Sequence, residues 1–134
     1  MKKQGILNSD ISRVLSYMGH TDQICIGDSG LPIPEHVERI DVSLKANFPS
    51  FIDVLKVLLD DMVIEKVYLA SEIITNNPNV YQEITKLIDK EMIVYVSHEE
   101  FKKQTHNVKA IVRTGEMTPY ANIILQSNVN LLNK

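Results

Sequence analysis

One cysteine, Cys25, stands in 134 residues, so no internal disulfide can close. Four histidines without a second thiol give no structural-zinc pattern, and a reducing cytoplasmic setting is expected. The sequence also lacks GxGxxG, Walker A, GxSxG and HExxH motifs, which removes support for dinucleotide, nucleoside triphosphate, hydrolase and zinc-protease chemistry. Long hydrophobic runs are missing. Uninterrupted apolar stretches are only a few residues long, whereas a spanning helix needs about 20 predominantly apolar residues, so no membrane protein is expected. Met1-Lys2-Lys3 begins like a signal peptide, but Gly5-Ile6-Leu7 gives way at once to Asn8-Ser9-Asp10, too soon for an export signal. An excess of positive charge is missing too. Fourteen Lys plus Arg against seventeen Asp plus Glu leave −3, scattered along the chain, and a nucleic-acid footprint needs a clustered basic face.

What is present suits one globular domain over residues 1–134, with 44% hydrophobic and 23% charged residues. A chain of this size buries about two-thirds of its unfolded surface, enough for a core without disulfides or metal. Asn8 or Ser9 can cap a helix whose apolar face is Ile11, Val14, Leu15 and Met18, with Gly19 placed for a left-handed C-terminal residue. Gln23 to Gly27 reads as a strand, broken by Asp28-Ser29-Gly30 and then by Pro32 and Pro34; Glu38 to Val42 reads as a second. Pro49 suits the first turn of a helix with Phe51, Ile52, Leu55, Leu58, Leu59 and Met62 on one face. Val67 to Ala70 is strand-like, Asn77-Pro78 opens another helix, and Ile93 to Val96 is a β-branched run. A short helix over Glu99 to Gln104 follows. Strands at Ala110–Arg113 and Ile123–Leu125 then flank a polar loop, Gly115 to Pro119. This alternation predicts an α/β fold in three α/β/α layers, with a mainly parallel central sheet.

In open α/β sheets ligands lie beyond the carboxyl ends of the strands. Asp28, His98 and Thr114-Gly115-Glu116 each follow a strand, and if their strands were parallel neighbours a carboxylate and an imidazole would meet. Ordinary roles compete: Asp28 before Ser29-Gly30 suits a turn, His98 can cap a helix, and His20, just past a helix C-terminus, suits the helix dipole. His36 and His106 lie in polar stretches and read as solvated. Lys102, four residues after His98, shares its helical face, and Tyr120 and Asn122 would point the same way from an extended segment. Asn is disfavoured in strands, which makes Asn122 the more informative of the two. Histidine titrates unperturbed between about pH 5 and 8, so these residue types suit cofactor-free proton transfer on a small polar ligand.

Asn8-Ser9-Asp10-Ile11-Ser12, Gly19-His20-Thr21-Asp22, Gly27-Asp28-Ser29-Gly30-Leu31-Pro32-Ile33-Pro34, Arg113-Thr114-Gly115-Glu116 and Thr118-Pro119-Tyr120-Ala121-Asn122-Ile123-Ile124-Leu125 together resemble the D-ribose pyranase and fucose mutarotase family over nearly the whole chain. Ser29 and Ser71-Glu72 depart mildly from the family pattern. The resemblance implies an isomerase that converts β-D-ribopyranose to β-D-ribofuranose, the form on which a ribokinase acts, without cofactor or metal. It implies His20 as proton donor, Asp28, His98, Tyr120 and Asn122 as sugar ligands with Lys102 as a further one, and Asp28 as a group that could also hold His20. It further implies ring-forming subunits, commonly a decamer of two pentameric rings, with sites near subunit boundaries. A non-catalytic sugar-binding accessory protein and a mutarotase for a 6-deoxy sugar such as fucose are the alternatives.

Overall fold

A computed structural model describes residues 1–130. Six strands form one sheet: β1 (Gln23–Gly27), β2 (Glu38–Asp41), β3 (Ile64–Ala70), β4 (Ile93–Val96), β5 (Ala110–Arg113) and β6 (Ile123–Ser127). They lie in the order β2-β5-β1-β6-β3-β4. The β2–β5, β5–β1 and β3–β4 pairs are parallel, while β6 is antiparallel to both β1 and β3. Five strands therefore run in one direction and β6 alone is reversed, as the expectation of a mainly parallel sheet requires.

Period-2 alternation sends neighbouring side chains to opposite faces, and each face has its own core. Ile24, Ile26, Val67, Leu69, Val112, Ile123 and Leu125 pack on one face against Ile11 and Val14 of α1 (Ser9–Tyr17), Phe51, Val54, Leu55 and Leu58 of α2 (Phe51–Asp61), and Ile84 of α4 (Pro78–Leu87). Cys25, Ala70, Ile111 and Ile124 face the other way, against Leu31, Val37, Val108 and Phe101. Phe101 belongs to α5 (His98–Gln104), which is the second helical layer. The Cys25 thiol is buried there, and loss of hydration pushes its pKa up, so it packs as a small apolar group.

Local chemistry fixes the helix starts. Asn8 caps α1 by accepting the Ile11 N–H at 2.9 Å, Ser50 caps α2 through the Asp53 N–H, and Ser97 caps α5 through the Glu100 N–H. His98 is thus the first residue of α5, not its cap. Pro49 precedes α2, and a short helix not expected from the sequence, α3 (Ile73–Asn76), comes directly before α4. Gly19 is not left-handed; the positive φ falls on Thr21, at 73°. The cause is Asp22, whose carboxylate accepts the Gly19 N–H at 2.9 Å while its own N–H donates to Gly19 O, closing a tight turn after α1.

Gly115 shows how closely the loops pack beyond the strand ends. A Cβ there would lie 2.5 Å from the Lys45 carbonyl oxygen and 2.6 Å from the Phe48 nitrogen. Gly115→Ala should destabilise the fold by about 1–3 kcal/mol through overpacking against backbone that cannot yield. Urea unfolding followed by circular dichroism measures this, and an unchanged midpoint would refute it.

Candidate active site

Because β6 is reversed, its beginning shares an edge with the carboxyl ends of the other five strands. Asp28 follows β1, His98 opens the helix after β4, and Tyr120 and Asn122 precede β6. All four line one cleft of about 310 Å³, together with Leu31 and Pro119. β1 and β4 are not neighbours, since β6 and β3 lie between them, so the meeting of carboxylate and imidazole comes about across the start of β6.

Each side chain is held. The Asp28 N–H donates to Asn122 Oδ1 at 2.8 Å, and Asp28 Oδ1 accepts the Gly30 N–H at 2.9 Å, so the turn role and the cleft role coexist in one residue. Gly27 is needed beside them: a Cβ would approach Leu31 Cδ2 to 2.9 Å and Asn122 Oδ1 to 3.3 Å. The His98 ring meets Tyr120 edge-on, with centroids 5.1 Å apart at 87°. Glu72, just past β3, accepts the His98 N–H with both carboxylate oxygens, at 3.0 and 3.1 Å. Two buried polar atoms, His98 Nδ1 and Asn122 Nδ2, have no hydrogen-bond partner among the described residues. Buried polar groups are nearly always paired, so two such atoms on cleft residues mark a place where a polar ligand completes the bonding.

Tyr120 does not lie in an extended segment; its φ is 58°. A buried network sets this bend. Asn77 donates from Nδ2 to Thr118 Oγ1 at 2.9 Å and to the Pro119 carbonyl at 2.8 Å, and the Thr118 hydroxyl donates to Glu116 Oε2 at 2.6 Å. Glu116 Oε1 accepts the Phe51 N–H at the start of α2, at 3.0 Å. Thr114 bonds to Gly27 O at 2.8 Å. Thr114-Gly115-Glu116 therefore supports the cleft loops and does not line the cleft. Asn77, expected only as a helix cap, makes no capping bond and spends its amide on the Tyr120 loop.

His20 lies elsewhere. It precedes β1, whereas Asp28 follows it, and a five-residue strand at about 3.3 Å per residue separates them by about 16 Å. Asp28 does not hold His20 within the chain. The partner of His20 is Glu65 in β3, with Nε2 and Oε1 2.9 Å apart, and His20 borders a separate cleft of about 360 Å³ with Leu15, Met18 and Met62. Lys102 shares α5 with His98, but its ammonium pairs with Glu99 Oε1 at 2.9 Å and does not line the Asp28 cleft. His36 and His106 are exposed, as expected, and adjoin each other, with His36 Nε2 2.8 Å from His106 O. Glu65 has no place in the sequence reading; Asn77 enters it only as a helix opener, Glu72 only as a departure from the family pattern, and Glu116 only as a residue past a strand.

A doubly covered α/β sheet with a small cleft at its carboxyl edge, lined by a carboxylate, an imidazole, a phenol and an amide, has the architecture in which small-molecule sites are found. More particularly, the chain belongs to the RbsD / FucU transport protein family, whose model matches residues 1–130. It is 55% identical over 129 residues to the D-ribose pyranase of Bacillus cytotoxicus, covering 96% of this chain and 98% of that one. The structure of Bacillus subtilis RbsD complexed with D-ribose superimposes with a TM-score of 0.95 at 49% identity, over 98% of this chain and 100% of that one. The fucose mutarotase of Streptococcus pneumoniae, in complex with L-fucose, matches with a TM-score of 0.80 at 25% identity, over 93% and 95%.

Burial pushes the Asp28 carboxyl above the usual aspartate range, while the Gly30 N–H, the Asn122 amide, the Leu31 N–H and nearby His98 pull it partly back. A raised carboxyl pKa means that acidification protonates Asp28 at a higher pH than an ordinary aspartate. Carbon-13 titration of the Asp28 carboxyl should therefore show a midpoint above that of an unperturbed Asp. A midpoint at or below it would overturn this reading.

Proposed function

We propose that this chain is a D-ribose pyranase, an isomerase that interconverts β-D-ribopyranose and β-D-ribofuranose. The observation that carries the reading is the convergence of Asp28, His98, Tyr120 and Asn122 on one small cleft, with two buried polar atoms left for a ligand to engage. The high identity to curated D-ribose pyranases and to a ribose-bound structure supports ribose, and the likeness to the fucose mutarotase is more distant. The family description speaks of transport, and the second reading is a sugar-binding accessory protein that holds ribose unchanged. No helix among the described residues is long and apolar enough to cross a membrane. The reading places one catalytic domain over the chain, working in the cytoplasm to supply furanose to a ribokinase.

The chemistry is an internal proton exchange. The anomeric hydroxyl loses a proton, the C1–O5 bond breaks, and the ring oxygen gains a proton, giving the open aldehyde. The C4 hydroxyl then attacks C1, its proton leaves, and the former carbonyl oxygen is protonated. Atoms balance and no electrons leave the sugar, so no redox cofactor is required. In this scheme His20 supplies the proton, ionised Asp28 accepts from a sugar hydroxyl, Asn122 Nδ2 donates to another, and His98 and Tyr120 orient the ring. Lys102, one turn along from His98, is a further sugar contact reached by leaving Glu99. Since His20 and Asp28 lie at opposite ends of β1, the scheme takes His20 from a second copy of the chain, in keeping with a ring-forming decamer of two pentameric rings.

Magnetisation-transfer NMR should show faster ribopyranose–ribofuranose exchange with catalytic amounts of protein, unaffected by chelator. Identical rates with and without protein, alongside retained ribose binding, would move the reading to the accessory protein. His20→Ala should fold and assemble normally but lose about 10²- to 10⁴-fold in exchange rate, the usual contribution of a positioned acid or base. Mixed assemblies of His20→Ala and Asp28→Asn chains test the shared site. Random pairing of copies regenerates an intact site about one time in four. Recovery to roughly that fraction of wild-type activity is expected, and no recovery after subunit exchange would refute the shared site.

A further inference from the structure

The pairing of His20 with Glu65 is built more firmly than a surface ion pair requires. Glu65 is only 28% exposed at its side chain, and both oxygens are engaged: Oε1 with His20 Nε2 at 2.9 Å, and Oε2 with Gln126 Nε2 at 2.6 Å. Gln126 is buried, and its orientation is forced, because its Oε1 accepts from Gln23 Nε2 at 2.8 Å and from the Tyr68 hydroxyl at 3.3 Å. Its Nε2 must therefore point outward and donate to Glu65. The other carboxylate next to His20 in the chain, Asp22, is committed to the Gly19 N–H and lies 3.9 Å from Lys109, and Asp61 borders the same cleft from α2. The His20 backbone is fixed as well, by the Thr21 N–H to Ser127 O and the Asp22 N–H to Gly19 O. A hydrogen-bonded pedestal thus runs from the sheet through Gln126 and Glu65 to one nitrogen of one imidazole.

We propose that Glu65 is a positioning residue that holds His20 with its proton on Nε2, leaving Nδ1 as the nitrogen that exchanges a proton with the sugar. This rests on the reading of His20 as the proton donor. The chemistry follows from acceptor counting. A carboxylate offers only acceptors, so it takes one hydrogen from Gln126 and one from His20, and the imidazole must be the donor at Nε2. The same arrangement, in which a carboxylate sets the tautomer of a working imidazole, recurs in acid–base catalysis. The ring is 49% exposed at the side chain, so Nδ1 can be presented to a second copy of the chain.

A carboxamide at position 65 cannot reproduce this. Its oxygen would be claimed by Gln126, its NH2 would face His20, and Nε2 would have to become the acceptor with the proton moved to Nδ1. The test uses the full-length assembly with ¹⁵N-labelled histidine, His20 being assigned by difference from His20→Ala. Solid-state ¹⁵N NMR of the neutral ring should give the Nε2–H pattern in the wild type and the Nδ1–H pattern in Glu65→Gln. Ribose exchange by Glu65→Gln should fall about 10- to 100-fold in kcat, within the contribution of a positioned acid or base, with KM changed less than about twofold. A wild-type Nδ1–H pattern overturns the proposal whether or not Glu65→Gln folds. So does a Glu65→Gln protein that keeps the Nε2–H pattern and wild-type kcat while His20→Ala is inactive, and in that case the reading of His20 stands. Wild-type exchange by His20→Ala removes both.

Discussion

The reversal of β6 within an otherwise parallel sheet is the constraint on which the rest of the molecule depends. In an all-parallel sheet the carboxyl edge collects only residues that follow strands. Here β6 sits between β1 and β3, and its direction brings residues that precede a strand, Tyr120 and Asn122, to the same edge as Asp28 and His98. The Asn122 side chain then bonds across to the Asp28 backbone and locks the two strands' ends together. At the opposite edge the same reversal sets Gln126 beside Gln23, and Gln126 reaches Glu65, so the support of His20 depends on β6 too.

Burying polar groups is costly unless they are bonded, and the molecule meets that cost with closed networks at both edges. Glu116 is buried, yet its two oxygens take the first free N–H of α2 and the Thr118 hydroxyl, and Thr118 in turn accepts from Asn77. A carboxylate at a helix N-terminus is favoured by the helix dipole as well as by the bond. The consequence reaches the cleft: Asn77 also grips Pro119 O, and Tyr120 is turned into its left-handed conformation against His98. Of the buried side-chain nitrogen and oxygen atoms among the described residues, only His98 Nδ1 and Asn122 Nδ2, both in the cleft, lack a partner, so bonding capacity is left unused where a ligand can take it up.

The legible part of the fold was what local periodicity and capping determine. The helix start at Asn8, the β-branched strands and the three-layer arrangement follow from short-range patterns, while α2 and α5 are capped by Ser50 and Ser97, each one residue away from the expected Pro49 start and His98 cap. What escaped was decided by long-range partners. Gly19 had the composition for a left-handed cap, but Asp22 competed for its N–H and moved the positive φ to Thr21. Tyr120 read as extended because nothing nearby in sequence announces Asn77, more than forty positions away, as the group that bends it. Asp28 and His98 are legible as residues past strand ends, whereas the grouping of Tyr120 and Asn122 with them comes from the family resemblance, and the structure lines one cleft with all four. Glu65, inside a strand of ordinary appearance, carries no sequence signal of its bond to His20.

The two edges pose one mechanical problem. His20 is tied to the sheet at its backbone and at its ring, and Asp28 is tied at its backbone and its carboxylate, so neither can cross the about 16 Å that β1 puts between them. Strands paired on both sides are the stiffest parts of a fold, and β1 is bonded to β5 and β6 along its length. Any reaction that uses both groups on one sugar must therefore bring the amino edge of one sheet to the carboxyl edge of another. Such an arrangement separates two demands that conflict within a single pocket: the half-buried surroundings that raise the Asp28 carboxyl, and the exposed, carboxylate-supported imidazole to which the proposed reaction assigns the proton transfer. Each environment can then be tuned on its own strand ends, and in the proposed shared site the chemistry arises where the two edges meet.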